Sequence, residues 1–321
     1  MKSPEIQDAL DAGFPTRGPM HLAIGMFDGV HLGHQAVIEA AVHAARRDRG
    51  EAAVLTFDPH PSRLFKPEAP TLQITDWGMK AHRLAQAGVD RIIRQPFDEA
   101  FASREAEDFP AYLKRCLPGL IAIYVGENFR FGRGRRGDID LLVRHARAIG
   151  LAVYSVERIR HNGEPISSTR IRSALAEGRI EEVNALLGYT YTTPLTIEPG
   201  RALGRTIGFP TLNGVWEPEL KPCLGVYAVL VRRLGERRAF PAVANYGLRP
   251  TVESSPVKPL VEIHLLGGCP GPDWQAPIAL LVEWHAFIRR ERQFDGLGSL
   301  REQIALDVVW ANNYWASHNP N

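Results

Sequence analysis

The feature that most constrains the fold of this sequence is a change of rhythm near Tyr189. Before it, apolar runs of strand length alternate with segments whose apolar residues recur at helical spacing. After it, strand-like segments follow one another with short turns and no helical segment between them. Alternation predicts a parallel sheet covered by helices, whereas successive short strands predict an antiparallel barrel or sandwich. We therefore expect two domains, at residues 1–188 and 189–321.

Composition excludes several classes of protein. Of the 321 residues 45% are hydrophobic, which is enough for two cores, and the formal net charge of +2 is too small for a dedicated nucleic-acid or membrane-surface protein. Cys116, Cys223 and Cys269 are isolated in sequence, so a disulfide framework is not expected and a reducing cytosol fits. The N-terminal stretch MKSPEIQDALDAG carries acids and no apolar core, so a signal peptide is not expected. We interpret residues 1–19 as a mobile leader, with room for one short helix.

The stretch Gly25–His34, GMFDGVHLGH, organises the first half. It lies between the apolar run His21–Ile24 and a segment of helical periodicity, so it joins a strand to a helix. Backbone N–H groups and the dipole at a helix start favour an anion, and His31 and His34, one turn apart, can both face one phosphate. A zinc half-site or simple capping is the alternative, although no third ligand lies nearby in sequence.

Polar residues also follow the second apolar run, Ala52–Phe57. Asp58, His60 and Arg63 come directly after it, where an open parallel sheet places its ligand contacts. A proline-stiffened turn with solvated charges is the alternative interpretation of this segment.

An arginine-rich segment, ENFRFGRGRRGD, follows the apolar run Leu120–Gly126. It carries four arginines among three glycines, which is a pattern also found in nucleic-acid patches. Because the net charge of the chain is modest, we expect instead a mobile loop over an anionic or aromatic ligand.

The segment ISSTRIRSALAEG begins another predicted helix. Ser167 or Ser168 can cap it, and Arg170 and Arg172 add positive charge near its start. This predicts either a second anion contact or an ordinary capped helix with a basic edge.

The second half offers few polar signals. GRALGRTIGFPTLN contains Thr211 and Asn213, whose oxygens suit Mg²⁺, although by itself the segment is typical of a turn-rich connector. In LVEIHLL, alternation places Glu262 and His264 on one strand face. An inward-facing Glu262 would be a candidate general base, and an outward-facing one a solvated strand residue.

The last segment, SLREQIALDVVWANNYW, predicts an amphipathic helix. Ser299 and Glu302 match a capping box at its start. We expect this helix to pack across the barrel and to cover an edge.

These motifs together resemble a known family. GMFDGVHLGH, TFDPHP, VGENFRFG and ISSTRIR resemble, in order, the four adenylyltransferase segments of bacterial bifunctional riboflavin kinase/FAD synthetases. GRTIGFPTLN, GVYAV, NYGLRPT, VEIHLL and FIRRERQF resemble the riboflavin kinase module of the same family. The resemblance extends over nearly the whole chain.

The resemblance implies an α/β Rossmann-like nucleotidyltransferase domain, followed by an all-β riboflavin kinase domain formed by a six-stranded barrel with a C-terminal helix. It implies that the kinase converts riboflavin and MgATP to FMN and ADP. The first domain then joins FMN to AMP, giving FAD and pyrophosphate. Both reactions are in-line attacks on phosphorus, which need positioning and charge stabilisation rather than a protein nucleophile.

The resemblance also implies roles for individual residues. Glu262 matches the catalytic glutamate that accepts the ribityl hydroxyl proton, and His31 and His34 match the histidines that contact the ATP phosphates. Thr211 and Asn213 match the element that holds Mg²⁺ and nucleotide. The remaining positions implied to bind nucleotide or flavin are Gly25, Phe27, Asp28, His60, Asn128, Ser168, Thr169, Arg172, Gly204 and Arg205.

The sequence departs from the family pattern at three places. Asn128 replaces the Asp of the usual GEDF, Leu212 and Gly214 flank Asn213, and GGCPGPDW follows Leu266. The last departure leaves one alternative open, an FAD synthetase whose barrel only binds flavin. We expect the protein to lie in the cytoplasm and to bind small molecules, and neither nucleic acid nor a membrane. A weak homo-oligomer is left open.

Overall fold

The computed structural model describes residues 3–13, 15, 17–198, 208–248, 259–268, 270–271, 274 and 277–318. The chain divides into two compact units, Met1–Ser168 and Thr169–Asn321. The domain boundary that we expect after residue 188 stays a prediction.

The first unit is built on a six-stranded parallel sheet in the order β1-β4-β3-β2-β5-β6. Its strands are β1 (Glu5–Asp8), β2 (Met20–Ile24), β3 (Glu51–Phe57), β4 (Arg91–Gln95), β5 (Leu120–Gly126) and β6 (Ala152–Val156). A two-stranded ribbon of β7 (Arg160–His161) and β8 (Glu164–Pro165) follows. The predicted alternating architecture is confirmed.

The interpretation of residues 1–19 as a mobile leader is wrong. Glu5–Asp8 pairs in parallel with Arg91–Arg94 and forms one edge of the sheet. The strand is four residues long and mostly exposed, so it lacks the apolar signal by which a buried strand is recognised. Its place is determined by backbone pairing to β4, which sequence periodicity does not reveal.

Both faces of the sheet are buried, which explains why its central strands are continuous apolar runs. In β2 every residue is buried: Leu22 and Ile24 join the core on one face and Ala23 the core on the other. The helices that cover the sheet and connect its strands are α1 (Leu32–Arg47), α2 (Ser62–Phe65), α3 (Trp77–Gln86), α4 (Glu99–Ala102), α5 (Phe109–Cys116) and α6 (Ile139–Arg147).

The second unit is a closed antiparallel barrel in the order β10-β13-β12-β11-β14-β9, preceded by α7 (Ser168–Glu177) and α8 (Ile180–Leu187). Its strands are β9 (Thr192–Glu198), β10 (Leu212–Val215), β11 (Gly225–Arg233), β12 (Phe240–Leu248), β13 (Pro259–Leu265) and β14 (Ile278–Arg290). The six-stranded barrel is confirmed. Of the segment GRALGRTIGFPTLN, which follows β9, only residues 208–213 are described, and the last two of these begin β10.

Large side chains fill the barrel interior. Tyr246 and Trp284 are at most 1% exposed, and Trp216 lies beside both, with ring centroids at 5.0 and 5.2 Å. The indole N–H of Trp284 donates to Thr193 Oγ1 at 2.9 Å, so this buried polar group is satisfied. The described interior is therefore a packed core of large side chains.

The C-terminal helix α9 (Leu297–Ser317) packs on the outside of the barrel. Ala311 and Trp315 share a core with the outward residues of three strands. Because the barrel is closed, the helix covers a face and not an edge, contrary to expectation. The capping box is also wrong: the helix begins at Leu297, and the Ser299 hydroxyl donates to Gly296 O at 3.0 Å.

Candidate active sites

A cleft of about 380 Å³ lies in the first unit, at the carboxyl ends of β2 and β5. Its size is within the range of small-molecule sites. The predicted residues that line it are Gly25, Phe27, His31, His34, Asn128 and Ser168. Three segments distant in sequence thus meet at one place, as expected for a ligand site where the strands of an open parallel sheet end.

The loop between β2 and α1 has an unusual backbone. Phe27, Gly29 and Val30 have φ angles of 48°, 74° and 37°, in the left-handed region that side chains other than glycine rarely adopt. The Phe27 ring is 1% exposed and packs over Gly25, where an added Cβ would lie 2.9 Å from it. Gly25 is therefore required by close packing, and the strained loop is the kind of feature that clusters at functional sites.

His31 and His34 form a stacked pair, with ring centroids 3.6 Å apart and planes at 15°. His31 is 5% exposed, and its Nδ1 accepts the backbone N–H of His34 at 3.2 Å, which caps α1. Because an accepting Nδ1 carries no proton, the neutral ring holds its proton on Nε2. Both the cap and the shared cleft, which the sequence offered as alternatives, are thus present.

Asp28 lies behind the loop and is 1% exposed. Its Oδ1 accepts the backbone N–H groups of Ile74 and Thr75 at 2.9 and 3.4 Å, and its carbonyl oxygen accepts the Ser168 hydroxyl at 3.1 Å. Within the described residues it is not part of the cleft lining. Asp28 therefore acts on the cleft through the loop and Ser168.

The opposite wall contains residues to which the sequence assigned no role. Glu127 and Arg158 line the cleft beside Asn128 and form an ion pair, Nε to Oε1, at 3.0 Å. Glu127 follows β5 and could have been recognised by its place at a strand end, but Arg158 lies beyond β6 and has no motif. The pair presents a partly exposed cation and anion to the cleft.

Three predicted binding residues lie elsewhere. His60 Nδ1 contacts the Ser62 hydroxyl at 2.8 Å and is not in the lining of the cleft as described. Thr169, which is exposed, and Arg172, which is half-buried, lie on α7 and belong to the second unit. Their expected roles stay predictions.

Glu262 lies on the outer face of the barrel and is half-buried, so neither alternative offered by the sequence describes it fully. Val261 and Ile263, on the other face of β13, are fully buried in the interior. Register places Glu262 between Asn213 of β10 and Asn245 of β12. Side chains directly opposite in an antiparallel pair share a face, so a carboxylate is flanked by two amides.

Asn245 is a neighbour that the sequence reasoning missed. It lies within the motif NYGLRPT, and the period of two along β12 would have shown only that it faces away from Ala244 and Tyr246. Its position beside Glu262 depends on strand register, which the barrel determines.

Asn213 has the properties of a cation ligand. Its Nδ2 lies 3.3 Å from Thr211 O, to which it donates, whereas its Oδ1 is buried without a hydrogen-bond partner among the described residues. A buried oxygen without a donor fits a hard cation such as Mg²⁺, which takes oxygen ligands. Gly204 and Arg205, also expected here, lie outside the described residues.

The described residues contain neither a metal-ligand cluster nor a membrane-spanning helix. No group of three or more His, Cys, Asp and Glu side chains is gathered so as to hold a metal, so the zinc half-site interpretation of His31 and His34 gains no third ligand. Among these same residues no helix is long and apolar enough to cross a membrane.

Comparison with known proteins matches each half of the chain to a separate family model. Family models for FAD synthetase and riboflavin kinase match residues 15–170 and 187–315. A solved structure described as a macrolide-efflux protein from Streptococcus pneumoniae has a TM-score of 0.84 at 27% identity, covering 96% of this chain and 99% of that chain.

Curated relatives cover nearly the full length. The bifunctional riboflavin kinase/FMN adenylyltransferase of Escherichia coli K12 is 35% identical over 93% of this chain and 94% of its own length. The protein of the same name from Bacillus subtilis 168 is 35% identical over 92% of each chain. The chain therefore belongs to the family of bifunctional riboflavin kinase/FMN adenylyltransferases, which phosphorylate riboflavin with ATP to FMN and then adenylylate FMN to FAD.

Proposed function

We propose that the two reactions use separate sites, the cleft of Gly25–His34 for adenylyl transfer and the outer barrel face around Glu262 for phosphoryl transfer. The boundary between the two functional domains falls after residue 188. The observation that carries this proposal is the stacked imidazole pair of His31 and His34, at a helix start and inside a cleft of about 380 Å³. Such a helix start attracts anions by its free N–H groups and dipole.

In the cleft, the protein positions ATP and stabilises the charge that develops on its phosphates. His31 donates from Nε2, because Nδ1 is occupied by the helix cap. The ring of His34 is held between His31 and the edge of Phe27, with centroids at 3.6 and 5.3 Å. Preorganised donors of this kind supply most of the catalysis in phosphoryl and nucleotidyl transfer. Gly25 lets the Phe27 ring approach, and Asn128, Ser168, Thr169, Arg172 and His60 complete the binding of nucleotide and FMN.

On the barrel, Glu262 accepts the proton of the ribityl hydroxyl as that oxygen attacks the terminal phosphate of ATP. The registers of β10, β12 and β13 place Asn213 and Asn245 on either side of this carboxylate. A base placed on strands of a closed barrel is held more firmly than one on a loop.

Thr211 and Asn213 would hold Mg²⁺, for which the buried Oδ1 of Asn213 is the supporting observation. When bound, the ion neutralises charge on the ATP phosphates. Gly204 and Arg205 complete the nucleotide contacts. The enzyme works in the cytoplasm on small molecules alone, without nucleic acid or membrane, which fits the modest net charge of +2 and the free thiols of Cys116 and Cys223.

The test follows both products from riboflavin, ATP and Mg²⁺ by chromatography. Glu262→Gln should abolish FMN formation and leave the conversion of supplied FMN to FAD intact. The double variant His31→Ala with His34→Ala should do the reverse. Matched controls are Glu236→Gln, in the turn after β11, and His43→Ala, on the exposed side of α1; both should form FMN and FAD at the wild-type rate.

Loss of both steps in a folded variant would refute the division into two sites. Conversion of FMN but not riboflavin by the wild-type chain would instead support the alternative of an FAD synthetase with a non-catalytic barrel.

A further inference from the structure

A charge cluster with two buried members, Asp28 and Lys80, lies in the first unit near the ends of three strands. It consists of Asp28 after β2, Asp58 after β3, Lys80 on α3 and Arg94 on β4. Arg94 pairs with Asp58, its Nε at 2.7 Å from Oδ2, and stacks at 4.6 Å over Trp77. Two acids and two bases balance, so the cluster is neutral while all four are charged.

Lys80 is the least expected member, because a lysine is rarely buried completely. It is 1% exposed, and its Nζ has no hydrogen-bond partner within the described parts of the chain. The ring of Trp77 lies 5.9 Å from it. Burial lowers its pKa to about 8, against the opposing effects of Asp28 and Asp58, while Arg94 lowers it further. A buried lysine without a hydrogen bond costs stability, so it needs an explanation other than packing.

Among the groups around Lys80, Asp28 matters most, because it lies in the loop between β2 and α1 that carries His31. Its carboxylate holds the backbone N–H groups of Ile74 and Thr75, and the helix that carries Lys80 begins three residues after Ile74. The Asp28 carbonyl oxygen holds Ser168, which lines the cleft. Helix α3, which carries Lys80, also packs against residues Asp28–Val30. The buried ammonium of Lys80 thus lies on the helix that contacts this loop, and it attracts the carboxylate of Asp28, which is bonded to two sides of the proposed nucleotide site.

We propose that Lys80 is a positioning residue for adenylyl transfer: its buried positive charge holds the Asp28 carboxylate and so maintains the strained Phe27–Val30 loop that places His31 in the cleft. This rests on the proposed assignment of adenylyl transfer to that cleft. The charge has a second effect. When Lys80 is neutral, the cluster carries one net negative charge close to a site for anionic ATP, and like charges repel over this range.

The charge on Lys80 is present below about pH 8 and is lost as the pH rises through that value. The titratable groups that face it are Asp28, Asp58 and Arg94. Lys80 is the member of the cluster whose charge is expected to change in this range of pH. FAD formation from FMN should therefore decline above about pH 8, whereas FMN formation should not share this decline.

The experiment measures the pH profile of FMN adenylylation in the full-length wild type, in Lys80→Met and in Lys80→Arg. Lys80→Met keeps the length of the side chain and removes the charge; it should raise KM for ATP and lower kcat/KM on the order of 10²-fold at neutral pH. Lys80→Arg keeps its charge at high pH, so its profile should lack the decline near pH 8. Phosphorylation of riboflavin by the same samples is the internal control for folding and should not change.

A decline near pH 8 that persists in both variants would overturn the proposal, as would wild-type kcat/KM in Lys80→Met. If Lys80→Met fails to fold, the profile of Lys80→Arg still decides. Failure of the underlying assignment is distinguishable, because the His31→Ala, His34→Ala double variant would then still convert FMN to FAD. If only the role of Lys80 is wrong, that double variant stays inactive.

Discussion

Replacing Gly25 by alanine tests whether the packing of Phe27 sets the geometry of the nucleotide site. A Cβ at residue 25 would lie 2.9, 3.0 and 3.3 Å from three ring atoms of Phe27. Carbon atoms prefer a separation of about 3.5–4.0 Å, so the ring must withdraw by roughly 0.5–1 Å. The ring is 1% exposed and touches His34 at a centroid distance of 5.3 Å, so the displacement passes to the histidine pair.

Two magnitudes follow from this geometry. Forcing a methyl group into a packed core costs about 1–3 kcal/mol of the free energy of unfolding. A misplacement of about 1 Å at a catalytic group costs on the order of 10²-fold in rate. Gly25→Ala should therefore lower kcat/KM for FMN adenylylation by about that factor and leave riboflavin phosphorylation unchanged, because the barrel does not contain the altered loop.

The assay is FAD formation from supplied FMN, combined with urea unfolding. Gly298→Ala is the matched control, since a Cβ at this position of α9 meets no atom within 4 Å. Phe27→Leu provides the decisive comparison, because it removes the ring atoms that the new methyl group would contact. In that background Gly25→Ala should cost less, with a coupling of about 0.5–3 kcal/mol. An equal loss in both backgrounds would refute the reasoning.

Two further predictions concern stability. His21 is 2% exposed, and burial lowers its pKa below 6.5 more than Asp48 raises it. Below about pH 6.5 the unfolded chain therefore binds more protons than the folded one, so stability falls as the pH drops. His21→Gln should show a smaller decrease in Tm than the wild type between about pH 7.5 and 5.5. A decrease equal to that of the wild type would contradict this. Asp307, 3% exposed, accepts from Arg289 at 2.7 Å and from Gln303 at 2.8 Å. Asp307→Asn should cost about 1.5–3 kcal/mol in urea unfolding and leave FMN adenylylation intact, and a midpoint equal to that of the wild type would count against a stabilising role.

Local patterns were enough to predict the fold class. The buried strands Leu120–Gly126 and Ala52–Phe57, the helix Phe109–Cys116 and the join at Gly25–His34 are each visible within a few residues of sequence. This works because a strand buried on both faces is a continuous apolar run, and because side chains repeat along a helix every 3.6 residues. The shared cleft of Gly25, Phe27, His31, His34, Asn128 and Ser168 also follows the expectation, since parallel strands bring their carboxyl ends to one edge.

Strand pairing decided what these patterns could not. The edge strand Glu5–Asp8 has no apolar signal, and the outward position of Glu262 between two asparagines depends on barrel closure and register. A period of two tells which residues share a face but not which face the barrel encloses.

The sequence by itself thus determined the two architectures, the order of the motifs and the chemistry that they serve, because these depend on residues close together in the chain. Only the tertiary structure decided that His31 caps α1 while it lines the cleft, and that Lys80 is buried on the helix that packs against Asp28–Val30. The first finding adds a second role to a residue that the sequence had already singled out, and the second joins residues far apart in sequence. They depend on packing in three dimensions, which no local pattern records.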